Sequence, residues 1–532
     1  MTPPPATGEM LLTNCRIFGG TGWTPPVWYH SLRISEGRIE ALGDSNQALN
    51  RSTRECQVIN LDGALVLPGL GDAHMHLKAG ARSLLKLDLA GLNRDEIKIA
   101  LQRRLLDEPH PIEGWIQAFD WESWRGILDA RLLDEVSLDL PMVVFSRDLH
   151  SCCVNSRALK IAGIGATTEA PPNGIISRDA GGIPSGILRD HATDLVMRFI
   201  PQNDPSQGRR LLVEGQRYLA SVGVTCVSDV LEADQTGIYH DLDRDGELDL
   251  FIDGWLRFEQ WDGVSSPPPA GKHFQVNTLK LFLDGSFGSK TAALYQPFSE
   301  ESDNTGLLFF TDVELLEKIA PAVGSGWRLA LHAIGDRAVD QACRVLACLP
   351  RTGFGPHRIE HLQLLSETGV EHLVESGAIG SVQPVHYLDD SPWLATRIGR
   401  DRCQRAFIWR SLIEHGVPLA LGTDWPVASP NPFLNLHATI NRRGFTLPPH
   451  PDFDLSEALL PHLAIRAMTW GWAEAAGLKE KRGAIEAGFP ADLTIVSGVS
   501  EDLADWSRAR VDMTICSGKV VYTCDQTQNR HT

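Results

Sequence analysis

Apolar and polar positions along the 532 residues fall into distinct textures. Between residues 10 and 66, short strand-like runs (LLTNCRIFGG, SLRISEGRIEALG, CQVINLDGALVL) alternate with turn residues. The same texture returns near the other end, in GAIEAGFPADLTIVSG and VDMTICSGKVVYT. Neither set is large enough to bury a core alone, so the pattern predicts one β-sandwich built from both termini, 1–64 with 480–532. Between them, short β-rich runs are followed by amphipathic stretches, the alternation of an α/β fold of the (β/α)8 TIM-like barrel type. Barrel strands are predicted at Leu65–His76, Val224–Val230, Leu250–Leu256, Asn277–Asp284, Arg328–His332, His357–His361, Ala378–Gln383 and Pro418–Asp424. Helices are predicted at Asp336–Ala347 and Ser456–Ala476, among others. About 147 residues separate the first strand from the second, too many for one crossover. The barrel is therefore expected to comprise 65–90 and 206–479, with an inserted mixed subdomain over 91–205.

Composition narrows the class. With 43% hydrophobic and 22% charged residues the chain reads as globular. A formal charge of −18, from 49 basic and 67 acidic residues, argues against nucleic acid or an anionic membrane as partner. No apolar run approaches the ~20 residues of a transmembrane helix. MTPPPATGEM has neither a basic n-region nor an apolar h-region, so no signal peptide is expected. Ten cysteines without CxxC spacing suit reduced, buried thiols. These features predict a cytoplasmic protein with a small-molecule substrate, and are compatible with a homodimer.

The chemistry starts at the first strand. In VLPGLGDAHMHL, His74 and His76 are two apart, so their side chains share one strand face, roughly 6.5–7 Å apart at Cα. Zinc–imidazole bonds of about 2.0–2.1 Å let both rings converge on one ion. Asp72 lies on the same face. Barrel enzymes carry functional groups at the C-terminal ends of strands. There stand Lys280 in NTLKLFLDG, His332 in RLALHAIGD, His361 in HRIEH and Asp424 in LALGTDWP. Alone, each has an ordinary explanation: a structural histidine, a turn-forming aspartate, a lysine reaching the rim or paired with Asp284 or Asp72. Together, in barrel order, they read as a metal centre. Four neutral imidazoles and a carboxylate suit zinc, one ion or two, with open positions for water. Zinc lowers the pKa of such water toward ~7, giving hydroxide at neutral pH, and Asp424 is placed to take its proton and hand it to a leaving amine. Asp336 and Arg337 follow His332 and are candidates to orient its ring or a substrate carbonyl. Glu360, beside His361, is a weaker candidate, because neighbouring strand residues face opposite sides. Trp121, with Trp115 and Trp124, is either local core or a substrate wall.

These segments resemble the amidohydrolase superfamily and, within it, amidohydrolase family 3, the group that includes N-substituted formamide deformylases. The likeness runs from about Leu11 to Tyr522 through VLPGLGDAHMHL, SRDLHSCCVNSRAL, NGIISRDAGGIPSGIL, LKLFLDGSFGSKTAAL, LHAIGDRAVD, RIEHLQLL, LALGTDWPV and RGAIEAGFPADLTIV. Gly71–Asp72–Ala73 in place of Ile-Asp-Ser, Thr423 in place of the commoner Ser, and Cys152–Cys153 depart from the usual pattern without removing a ligand. The resemblance implies a carboxylated Lys280 bridging two metals, and a loop carrying His150 that folds over the barrel mouth and contacts substrate. It also implies hydrolysis of a C–N bond, an amide or N-formyl group, by hydroxide generated on the metal. Hydrolytic deamination or cyclic-amide opening would use the same scaffold. A non-catalytic scaffold protein would have lost ligands, and here every expected ligand is present.

Overall fold

The computed structural model describes residues 9–524, except 22–23, 45–55, 85–86, 90, 108–113, 122–127, 147–150, 172–173, 201–204, 233, 289, 351 and 480. Two compact units emerge, Met1–Gly80 with Arg209–Thr532, and Ala81–Gly208.

In the larger unit, eight parallel strands follow one another around a barrel. They are Leu70–Met75, Val224–Val230, Phe251–Arg257, Phe274–Phe282, Arg328–Ala333, Arg358–His361, Ile379–Val382 and Leu419–Leu421. The ring closes between its ends through a parallel bridge from Met75 to Trp425 and an amide bond of 2.8 Å from His76 N to Trp425 O. All six residues of the first strand are buried, as are all seven of the second, which explains runs without polar alternation. Helices Asp312–Gly324, Asp336–Ala347, Gly369–Ser376 and Pro384–Ile398 are threaded between the later strands, and Pro432–Asn441 follows the last. Their ends carry the expected signals: a Thr311/Glu314 capping box, an Asn431 cap followed by Pro432, and Gly377 at φ +63 ending its helix.

Both termini build the β-sandwich. Its strands run in the order Lys519–Thr523, Arg510–Cys516, Leu493–Ser497, Leu65–Pro68, Met10–Gly19, Val27–Ser35 and Arg38–Gly43, with Gln57–Asn60 also pairing Met10–Gly19. Leu12, Ile17, Leu32, Val66, Leu493, Ile495 and Ile515 form its core. The single strand expected over Leu65–His76 is thus two. Leu65–Pro68 belongs to the sandwich and Leu70–Met75 to the barrel. Gly69 makes the change of sheet; a Cβ there would lie 2.2 Å from Thr225 Oγ1 and 2.9 Å from Asp492 Cβ. The helix expected over Ser456–Ala476 is likewise split, into Pro461–Met468 and Trp470–Ala475, because Thr469 leaves helical geometry at ψ −82.

The smaller unit is a mixed sheet in the order Gly174–Arg178, Pro184–Asp190, Ser151–Val154, Met142–Ser146, Ile116–Trp121 and Leu87–Asp88, with a buried apolar cluster on each side. All ten cysteines are free thiols. Among the described residues, no helix is long and apolar enough to cross a membrane.

Candidate metal centre

Barrel closure positions the first group of side chains. The Asp72 carboxylate accepts from Thr423 N at 3.0 Å, from Thr423 Oγ1 at 2.5 Å and from His74 N at 3.1 Å, locking the first strand to the eighth. Asp72 is therefore a closure residue, and burial pushes its carboxyl up to about 7. Gly422 lets the strands approach; a Cβ there would meet His74 N at 2.6 Å. Past Gly422 the chain turns through Asp424, at φ +59, whose amide bonds His74 O at 2.6 Å. Its Oδ1 comes to 3.3 Å from His76 Nε2 and 3.6 Å from His74 Nε2. On the sixth strand His361 has φ +77 and Leu362 φ +47. A leucine in the left-handed region is strained, and such strain gathers at functional sites.

Protons at the centre can be assigned from its hydrogen bonds. His74 Nδ1 lies 2.8 Å from Glu360 Oε2, so Nδ1–H donates to the carboxylate and Nε2 is left with its lone pair. That Nε2 faces Asp424 Oδ1, another acceptor, and Lys280 Nζ at 3.4 Å. His332 Nε2 donates to Gly285 O at 3.1 Å, leaving Nδ1 as an acceptor. Among the described residues, His332 Nδ1, His361 Nδ1, His386 Nε2 and Asp424 Oδ1 are buried without hydrogen-bond partners. The rings are close, with centroids 4.4 Å apart for His332–His361 and 5.0 Å for His74–His361. Burial, reinforced by Lys280, lowers His74 to about 4 and His332 to about 3, and burial also depresses His361 and His386. These imidazoles are therefore neutral near pH 7 and offer lone pairs. Burial opposes charge on Asp424, yet the facing histidines hold its carboxyl well below the ordinary range. Unpartnered buried acceptors gathered around one carboxylate are what a divalent cation would satisfy. The donor set fits such an ion. Two three-residue groups, His74–His76–Asp424 and His361–His386–Asp424, each bring ligand atoms within 4.8 Å of one another.

Glu360 is the orienting carboxylate. It binds His74 rather than its neighbour His361, and is itself held by Arg358 Nε at 2.6 Å. Burial works against its charge, but Arg358 and His74 bring Glu360 down to about 2. Arg358 also bonds Ala73 O at 2.7 Å and Ser381 Oγ at 2.8 Å and lies over the Trp255 ring, so three strands fix one imidazole. Orienting carboxylates of this kind typically contribute 10–100-fold to metal affinity. Glu360→Gln is accordingly expected to weaken metal binding by about that factor in a chelator competition, with the fold intact. Unchanged affinity would remove Glu360 from the centre.

The remaining candidates fall in several places. Lys280 is buried beside His74, and neither Asp72 nor Asp284 is its partner among the described residues. Burial draws its ammonium down to about 8. Asp284 instead accepts from the amides of Ala293, Ile334 and Gly335 at 2.8–3.0 Å and lies 3.5 Å from His332 Nε2. Asp336 does not orient His332: its carboxylate is used by Tyr295 N at 3.1 Å and Arg337 N at 2.9 Å at the start of its helix. The Arg337 side chain is exposed, on the helix after the His332 strand. Trp121 is core, packed with Ile116, Leu132 and Met142 in the smaller unit, and so is no substrate wall. His150 and Trp124 lie outside the described residues. His386, third residue of Pro384–Ile398, was not foreseen, because it stands on a helix rather than at a strand end.

The amidohydrolase family model matches residues 57–522, nearly the whole chain. The chain belongs to the amidohydrolase family. It is 30% identical to the Arabidopsis thaliana protein LONG AFTER FAR-RED 3, over 98% of this chain and 93% of that one. It is 26% identical to the N-substituted formamide deformylase of Arthrobacter pascens, over 88% and 90% of the two chains. An uncharacterized metal-dependent hydrolase from Pyrococcus furiosus superposes with a TM-score of 0.77 at 25% identity, covering 93% of this chain and all of that one. The matched residues take in the barrel strands that bear the histidines and the sandwich strands Gln57–Asn60, Leu65–Pro68, Leu493–Ser497 and Arg510–Cys516.

Proposed function

We propose that this chain is a metal-dependent hydrolase that cleaves a carbon–nitrogen bond, an amide or an N-formyl group, in a small organic substrate. One observation carries the reading: His74 Nε2 and Asp424 Oδ1, both acceptors, face each other at 3.6 Å with His76 Nε2 3.3 Å from the same oxygen. Ring nitrogens converging on one carboxylate are what a divalent cation would take up, and the imidazole-rich set suits zinc, as one ion or two. His74, His76, His332, His361, Asp424 and Lys280 would hold it, Lys280 as its amine or as a carbamate formed with carbon dioxide. When bound, the metal supplies Lewis acidity toward a carbonyl oxygen and acidifies a water near neutral pH.

The protein's own groups do the rest. Asp424 Oδ1 accepts the proton of the attacking water and delivers it to the departing nitrogen, so that the amine leaves neutral. Glu360 and Arg358 keep the His74 ring turned toward that carboxylate. Phe282, 38% exposed with its ring 5.1 Å from that of His332, offers substrate an apolar surface. The net charge of −18 favours a small-molecule substrate over nucleic acid, and the free thiols favour the cytoplasm.

The test is a panel of N-formyl and N-acyl amines incubated with metal-replete, full-length protein. The expected result is acid and amine released in equal amounts from at least one member. Ammonia released from a heterocycle, with no turnover of any acyclic amide, would overturn the amide reading.

A further inference from the structure

We propose that His386 is a metal ligand, forming with His361 and Asp424 a second cation position that shares the Asp424 carboxylate with that of His74 and His76. The inference rests on the reading of the cluster as a metal centre and goes beyond it in adding a ligand and a site.

Three observations converge on His386. Its Nε2 is buried and has no hydrogen-bond partner among the described residues. Second, the ligand atoms of His386, His361 and Asp424 lie within 4.8 Å of one another, and all three side chains are buried. A tetrahedral ion with bonds of about 2.0–2.1 Å spans its ligands by about 3.4 Å, so only a small closure is needed. Third, the His361 and His386 rings are nearly parallel, 12° apart with centroids at 6.0 Å, and His361 Nδ1 is a buried orphan as well.

Local structure explains how a helical residue reaches the centre. The seventh barrel strand ends at Val382 and the helix begins at Pro384, so only Gln383 intervenes. A proline at the first helical position starts the helix at once. Asn435 Oδ1 accepts from Val385 N at 3.3 Å and Asn435 Nδ2 donates to Gly422 O at 3.0 Å, tying this helix start to the strand that carries Asp424. His386 therefore stays at the C-terminal end of the barrel, where the strand-borne ligands are.

A Co2+ titration of metal-stripped, full-length protein, followed by its visible absorption and by equilibrium dialysis, tests the proposal without any substrate. Wild type is expected to take up two equivalents. His386→Ala and the bulkier His386→Gln are expected to take up one, with the second position weakened by about 100-fold or more. His437→Ala, at another buried histidine with an unpartnered Nε2 but outside the centre, is expected to keep both. Thermal unfolding of the metal-free proteins checks that each variant is folded. A single equivalent in wild type, two unweakened equivalents in both His386 variants, or equal loss in His437→Ala would overturn the second position. Wild type with no bound Co2+ would overturn the metal-centre reading itself, which separates the two failures.

Discussion

Asp424→Asn is expected to lower kcat and kcat/KM together, by ~10²–10⁴-fold or more. Asparagine keeps the shape of the side chain but cannot accept and return a proton near neutral pH. The main chain around it is held independently of the carboxylate: its amide bonds His74 O at 2.6 Å, and Thr423 is clamped by Asp72. The geometry of the turn should thus survive the change. Because proton transfer occurs only in the transition state, the loss appears in both constants rather than as a raised KM. Steady-state kinetics on the best amide from the panel measures it. Near-normal kcat in Asp424→Asn would remove the proton-carrying role.

A second large effect is expected at His74. His74→Ala deletes an imidazole whose Nε2 faces Asp424 and whose Nδ1 anchors Glu360, so metal at the His74–His76–Asp424 position and turnover should both be lost. The barrel should remain folded. His74 contributes to closure through its main chain, which binds Asp72 and accepts from Asp424, and those bonds do not need the ring. The cost within the fold is the Glu360 carboxylate, which retains Arg358 as its partner at 2.6 Å.

Much of this was legible in the sequence, for definite reasons. Every barrel strand appeared as a short apolar run, because strands buried on both faces carry no polar alternation. His74 and His76 were readable as a pair from the two-residue period of a strand. Glu360 was less legible. Alternation sets it opposite His361, and in the regular part of the strand it points inward with Arg358. His361, at φ +77, has already left strand geometry, so period-two reasoning fails there and both residues reach the centre. Asp336 showed the converse: proximity to His332 in sequence suggested a role that the helix start redirected to Tyr295. His386 escapes a rule that places ligands only at strand ends. The signal was present in Val382–Gln383–Pro384, a strand followed at once by a helix-starting proline. Change of sheet at Gly69 was hidden for a different reason. A glycine within an apolar run marks close approach only when its neighbours, here Thr225 and Asp492, are known.

Elemental analysis of wild type and His74→Ala, purified side by side, tests most directly whether the histidines and Asp424 hold a metal used in hydrolysis. Wild type is expected to retain at least one equivalent of divalent transition metal, with zinc foremost, while His74→Ala loses metal and activity yet keeps a native circular dichroism spectrum. Equal metal content and equal turnover in the two proteins would contradict that role.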